Sequence, residues 1–252
     1  MAPTIPTVTL PSGRQMPVIA YGTGTAWFKR GADGQEPPLD QGLVTALGEA
    51  LKAGFTHIDA AEIYGTDREI GVALSQHLAV TGASRDALFV TSKVWPSLPD
   101  VEKAVRKSLS DTQLQYFDLY LVHAPFFKEG VTLEQTWEQM ERLVELGLVR
   151  DIGVSNFRVA DLEALLKVAK IKPAVNQVEA HPYLQQPELE AYCKQHGILL
   201  EAYSPLTPLT DKKGGPVDEA VQQIAAAHGV TPGEVLLRWA LARSYLPVTT
   251  TR

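Results

Sequence analysis

The chain has 252 residues, 45% of them hydrophobic, enough to bury a large core as one α/β barrel or as two small domains. Its net charge of -6, from 23 basic and 29 acidic residues with no basic run longer than a pair, argues against nucleic acid as a main partner. No apolar run approaches the ~20 residues a spanning helix needs, and the first residues, "MAPTIPTVTLPSGRQMP", lack a basic stretch ahead of a hydrophobic one, so neither a membrane partner nor secretion is expected. The single cysteine, Cys193, excludes a disulfide framework and fits a reducing cytoplasm. Within the helical pattern "ELEAYCKQHG" it reads as a packed thiol rather than a reactive one.

At the start, "VTLPSGRQMP" reads as a hairpin turning at Ser12-Gly13. Short β-branched or apolar runs then alternate with amphipathic stretches. The strands expected are "VIAYGTG", "FTHIDA", "LFVTSKV", "DLYLVHA", "VRDIGVSN", "AVNQVEA", "ILLEAYSPL" and "YLPVTTT". Between them "LVTALGEALKAG", "REIGVALSQHLAV", "DVEKAVRKSLSDT", "LEQTWEQMERLVELGL", "VADLEALLKVAK" and "PELEAYCKQHG" read as helices. The connection "PVDEAVQQIAAAHGVTPGEVLLRWALARS" holds two helices, broken where Thr231 can N-cap the second and Pro232 can enter its first turn.

Such alternation builds βα units around a parallel sheet, and eight strands favour a (β/α)8 TIM barrel over an open sheet. The hairpin would cover its bottom. No internal repeat beyond the βα period and no Pro/Gly/Ser linker divides residues 1–252, so a single domain is expected. The eighth strand runs into "TTTR", which leaves no sequence for an eighth helix. A barrel without that helix is expected to expose an apolar seam.

Barrel enzymes carry their reactive groups at the C-terminal ends of strands and in the loops that follow. Asp59 ends the second strand, Lys93 the third and His123 the fourth, while Tyr64 lies in the loop after Asp59. An acid, a lysine, a phenol and an imidazole around one mouth can do acid/base work: an ammonium lowers a neighbouring phenol's pKa, and a carboxylate holds the ammonium in place. Singly, each has a plainer reading as a cap, a surface charge or a packed ring; four on three successive strands are harder to assign to packing. Glu62 reads as a solvated or loop-positioning acid. "YGTGTAW" lacks the third glycine and the later acid of a dinucleotide fingerprint, so Gly22 and Gly24 read as a turn.

Together, "HIDAAEIYG", "TSKVW", "LYLVHAP", "IGVSNF", "NQVEAHPY" and "AYSPL" resemble the aldo-keto reductases across all eight strands in order. "AYGTGTAWFK" and "HAPF" resemble the fungal-type branch acting on α-keto and conjugated dicarbonyl compounds. The resemblance implies NADPH-dependent reduction of an aldehyde or ketone, with NADPH/NADP+ as cofactor, a small carbonyl compound as substrate, and no metal. A monomer is favoured. It implies Tyr64 as the general acid, Lys93 paired with Asp59 to depress its pKa, and His123 orienting the carbonyl. Ser155, Asn156 and Gln177 would bind the carboxamide, Tyr203 would stack on the nicotinamide, and Ser204 and Leu206 would meet the pyrophosphate. Without the family pattern, Ser155 or Asn156 could equally cap the next helix, Gln177 be a buried amide and Tyr203 a core ring.

Three departures from that pattern carry consequences. Thr250 and Thr251 stand where the family commonly has a lysine and a serine that hold the 2′-phosphate; hydroxyls do not neutralise it, so weaker NADPH binding is expected, with Arg252 compensating in part. The family's C-terminal pocket loop is absent from the sequence. Ala124 replaces a tryptophan common after the histidine, which would widen the pocket. Trp27, Phe28, Trp95, Phe126 and Phe127 are aromatic candidates for lining it. Two other readings stay open: a cofactor-binding sensor or partner subunit without turnover, and a Schiff-base aldolase using Lys93.

Overall fold

The computed structural model describes residues 5–29, 37–127 and 129–251. Strands β1 (Thr7–Thr9) and β2 (Gln15–Pro17) form the expected hairpin, with Val8 opposite Met16. The turn closes by Gly13 N donating to Leu10 O, with Gly13 at φ 85°, a conformation glycine adopts without steric cost.

The remaining elements alternate: β3 (Ala20–Gly22), α1 (Gln41–Lys52), β4 (His57–Asp59), α2 (Asp67–Thr81), β5 (Phe89–Val94), α3 (Val101–Thr112), β6 (Phe117–Val122) and α4 (Leu133–Glu145). They continue as β7 (Val149–Ser155), α5 (Val159–Val168), β8 (Val175–Glu179), α6 (Pro187–His196), β9 (Leu199–Tyr203), α7 (Val217–His228), α8 (Pro232–Ala242) and β10 (Tyr245–Thr249). All eight strands from β3 to β10 pair in parallel, and β10 returns to β3 through Val248↔Ala20 and Thr249↔Tyr21 to close the barrel. The α7–α8 break falls where the sequence places it. Thr231 Oγ1 accepts from Glu234 N while the Glu234 carboxylate takes Thr231 N, a capping box with Pro232 next in line.

Two cores follow from the strand period of two. The larger lies between sheet and helices and holds Trp137, Phe157, Leu47 and Ile70. The smaller joins hairpin residues Leu10 and Met16 to Phe89, Leu119, Leu121, Val175 and Leu246. Phe89 and Val175 open their strands, so this cluster fills the N-terminal end of the barrel and the hairpin seals it. Buried Asp118 fastens the seal, pairing with Arg14 of the hairpin and with Arg85. The N-terminal end of the barrel is thus closed by packing, which leaves the C-terminal mouth to loops.

The expected apolar seam is mild. Neither α1 nor α8 places a large apolar side chain in the exposed class, and Val235, Leu237 and Leu241 of α8 are half-buried. Cys193 is buried, as the helical pattern suggests, and burial pushes its thiol up to about 11, which keeps it protonated and unreactive.

Candidate active site

The four strand-end candidates meet. Lys93 Nζ donates to Asp59 Oδ1 at 2.7 Å and to the Ala60 carbonyl at 2.8 Å, and it reaches the Tyr64 hydroxyl at 3.5 Å, the outer limit of a hydrogen bond. The same ammonium lies 5.1 Å from the centre of the Tyr64 ring. Chain geometry explains the arrangement. Register sets Asp59 beside Thr91 on β5, and Lys93, two residues on, shares the inward face of Thr91. Ala61 to Gly65 turn back as a single 3-10 turn that lifts the phenol over the mouth.

Burial on its own lowers the Lys93 ammonium's pKa; Asp59, Tyr64 and Glu201 more than reverse this and leave it above its ordinary value. The lysine therefore stays charged. For Tyr64, burial pushes the phenol up and Lys93 pulls it down, with burial prevailing. The sequence expectation of a depressed phenol is corrected: the lysine acts in the stated direction but offsets only part of the desolvation.

His123 stands edge-on to Tyr64, with ring centroids 5.7 Å apart and planes at 82°. Burial and then Lys93 lower its pKa to about 3, so the imidazole is neutral at physiological pH. Its Nδ1 is buried without a hydrogen-bond partner. A neutral ring with its proton on Nε2 can donate to a carbonyl oxygen in the cavity.

A cavity of about 520 Å³ at the C-terminal mouth takes in Asp59, Tyr64 and His123 together with Ser155, Asn156, Gln177, Tyr203, Ser204, Leu206 and Thr250. Ser155 Oγ donates to the Gln177 carbonyl at 2.7 Å, and Asn156 Nδ2 donates to the His123 carbonyl at 2.9 Å. The Tyr203 hydroxyl donates to Asn156 Oδ1 at 2.9 Å. Neither Ser155 nor Asn156 caps α5, whose first turn is closed by Arg158 N donating to Asp161. Asn156 and Ser204 hold left-handed backbone, φ 63° and 53°, on the cavity wall. Such conformations cost energy in non-glycine residues and cluster where geometry matters for function.

Gln177 Nε2 donates to Asp59 Oδ2 at 2.8 Å and to Glu201 Oε2 at 3.0 Å. A carboxylate needs a donor, which fixes the nitrogen end of the amide inward and leaves Oε1 to accept. Glu201 is absent from the residues the sequence singles out. Its signal was the period of two in "LLEAY", which puts it on the inward face with Tyr203.

The cavity wall does not include Trp27, Trp95, Phe126 or Thr251. Trp27 Nε1 and the Tyr21 hydroxyl both donate to the Thr251 carbonyl. Trp95 and Phe126 are 38% and 66% exposed, and Trp95 Nε1 donates to the Phe126 carbonyl. Phe127 packs on the core, Phe28 stands edge-on to Tyr64, and Ala124 is buried. Glu62 positions a loop: its carboxylate takes Trp95 N at 3.1 Å and the Ser97 hydroxyl. Arg252 lies outside the described residues. Gly24 opens the 3-10 turn Thr25–Trp27, its carbonyl accepting from Trp27 N at 3.0 Å, and it also answers a close approach, because a Cβ there would sit 2.8 Å from Tyr64 Cζ.

The sequence pattern described as the Aldo/keto reductase family matches residues 19–252. The chain belongs to the aldo/keto reductase family. Among its relatives in that family, the "NAD/NADP-dependent indole-3-acetaldehyde reductase" of Schizosaccharomyces pombe is 40% identical over 95% of this chain and 83% of its own length. The "NADPH-dependent alpha-keto amide reductase" of Saccharomyces cerevisiae is 41% identical over 96% of this chain and 80% of its own. The crystal structure of a Bombyx mori aldo-keto reductase in complex with NADP superposes with a TM-score of 0.88 at 31% identity, covering 99% of this chain and 84% of that one.

Proposed function

We propose that this aldo/keto reductase reduces an aldehyde or an α-keto carbonyl compound to the alcohol, with NADPH as hydride donor. The observation that carries the reading is the buried relay Asp59–Lys93–Tyr64, 2.7 Å and 3.5 Å long, ending on a phenol in the cavity wall. A carbonyl oxygen that receives electron density as hydride reaches its carbon needs a proton donor at that moment. Tyr64 gives the proton and becomes phenolate; the Lys93 ammonium, held by Asp59, stabilises that phenolate until solvent returns a proton. Neutral His123 donates a hydrogen bond to the same oxygen and fixes its direction.

The residues present fit a nicotinamide cofactor. The left-handed turns of Asn156 and Ser204 face the cavity, and Thr250 Oγ1 on its wall is buried without a hydrogen-bond partner. NADPH would supply the hydride. Gln177 Oε1 and the free lone pair of Asn156 Oδ1 would accept from its carboxamide, Tyr203 would stack on the ring, Ser204 and Leu206 would meet the pyrophosphate, and Thr250 would donate to a phosphate. Next to it, Thr251 would offer its hydroxyl to the same phosphate, while its carbonyl accepts from the Tyr21 hydroxyl and Trp27 Nε1.

The substrate class follows the relatives, which are named for an aldehyde and for α-keto amides. Trp27, Trp95 and Phe126 would contact the outer part of a substrate that projects from the cavity. A single-subunit cytoplasmic enzyme completes the reading; among the described residues no helix is long and apolar enough to cross a membrane. A charged Lys93 disfavours Schiff-base chemistry, which needs the free amine.

Tyr64→Phe tests the proposal. Carbonyl-dependent NADPH oxidation should fall by on the order of a hundredfold or more while NADPH binding persists; unchanged turnover would overturn it. A panel of aldehydes, α-keto lactones and diketones, run with NADPH and NADH, identifies the substrate class.

A further inference from the structure

The second partner of the Gln177 nitrogen stands outside the hydrogen bonds of the relay. Glu201 lies on β9 in register with Gln177, one layer beneath Tyr203, and is buried. Its other sheet neighbour in register is Leu246 of β10, part of the apolar barrel filling. An acid in that layer is costly unless it is partnered, and an apolar residue there would leave one Gln177 N–H unpaired. We propose that Glu201 is a positioning residue of the reductase site: it holds the Gln177 amide so that its nitrogen secures Asp59 for Lys93 and its oxygen faces the carboxamide of the cofactor. The inference rests on the reductase reading above.

The charge of Glu201 gives this role a signature. The charged groups acting on it are Asp59 from β4 and Lys93 from β5; Gln177 from β8 and Leu246 from β10 carry none. Burial, then Asp59, push its carboxyl up to about 8. Below that pH Asp59 and Lys93 balance and Glu201 is neutral. Above it the buried cluster becomes net negative, which favours a cationic nicotinamide ring over a neutral one.

The test uses the full chain with E201Q and E201L, titrated with NADP+ and with NADPH by quenching of tryptophan fluorescence on either side of pH 8. In the wild type the affinity for NADP+ relative to NADPH should rise several-fold as pH passes about 8, and in E201Q the ratio should stay flat. E201L should weaken binding of both cofactors by about tenfold and lower kcat, and E201Q should restore most of that loss. Adding E201L to a Gln177→Leu chain should cost little further, because Glu201 acts through Gln177. A pH-dependent ratio in E201Q equal to the wild type, or wild-type binding by E201L, overturns the proposal. Should E201L fail to fold by circular dichroism, the E201Q ratio decides. Absence of carbonyl turnover in the wild type would instead count against the reductase reading and leave the binding test intact.

Discussion

Lys93 and Asp59 form a fully buried ion pair, 2.7 Å from Nζ to Oδ1, and Asp59 also lines the cavity. The pair ties the stability of β4 and β5 to the chemistry at their ends. Removing one member leaves the other charged and unpaired, which costs about 3–5 kcal/mol. Lys93→Met is expected to lower the melting temperature by thermal denaturation and to abolish reduction together, and Asp59→Leu with Lys93→Met to destabilise by less than the sum of the single changes.

Gly24 sets how close the Tyr64 ring can lie to the first strand. Because an added Cβ meets the ring at 2.8 Å, Gly24→Ala should push the phenol off its position without disturbing the core. Displacements of this size cost on the order of ten- to a hundredfold in rate. Steady-state kinetics should show the loss in kcat, with the melting temperature close to that of the wild type.

At the phosphate end the wall offers a hydroxyl, Thr250 Oγ1, where an ammonium would neutralise charge. Thr250→Lys is expected to tighten NADPH about tenfold relative to NADH, as a charge-assisted contact does. Fluorescence titration of both cofactors at low and high salt checks it, and the gain should shrink as salt screens the phosphate.

Two neutral histidines make the fold sensitive to acid. Burial is the main cause that lowers His57 to about 4 and His123 to about 3. The unfolded chain protonates both near pH ~6.5, so the folded state binds fewer protons below that value and loses stability as pH falls toward 4. For His57 the loss is on the order of 3 kcal/mol. Melting temperatures measured downward from neutral pH should fall, and His57→Gln, which keeps a partner for Thr91 Oγ1, should flatten the slope.

Local patterns determine much of this protein. Alternation of eight apolar runs with amphipathic stretches specifies the barrel, Thr231-Pro232 specifies the break between α7 and α8, and Ser12-Gly13 specifies the hairpin. The strand-end positions of Asp59, Lys93 and His123 are legible for the same reason: a strand's last inward residue reaches the mouth whatever its neighbours are. Tertiary packing alone decided the rest. Whether burial or Lys93 governs the Tyr64 phenol depends on how much water the closed barrel removes, and no spacing records that. The partners of Gln177 come from β4 and β9, 118 and 24 residues away, so Glu201 gains its meaning only when the strands are set side by side. Trp27, Trp95 and Phe126 lie in loops whose direction the strand period does not fix, and the fold leaves them outside the cavity wall. The sequence names the groups at the barrel mouth; closure of the sheet supplies the desolvation and the cross-strand contacts that set their charge and aim.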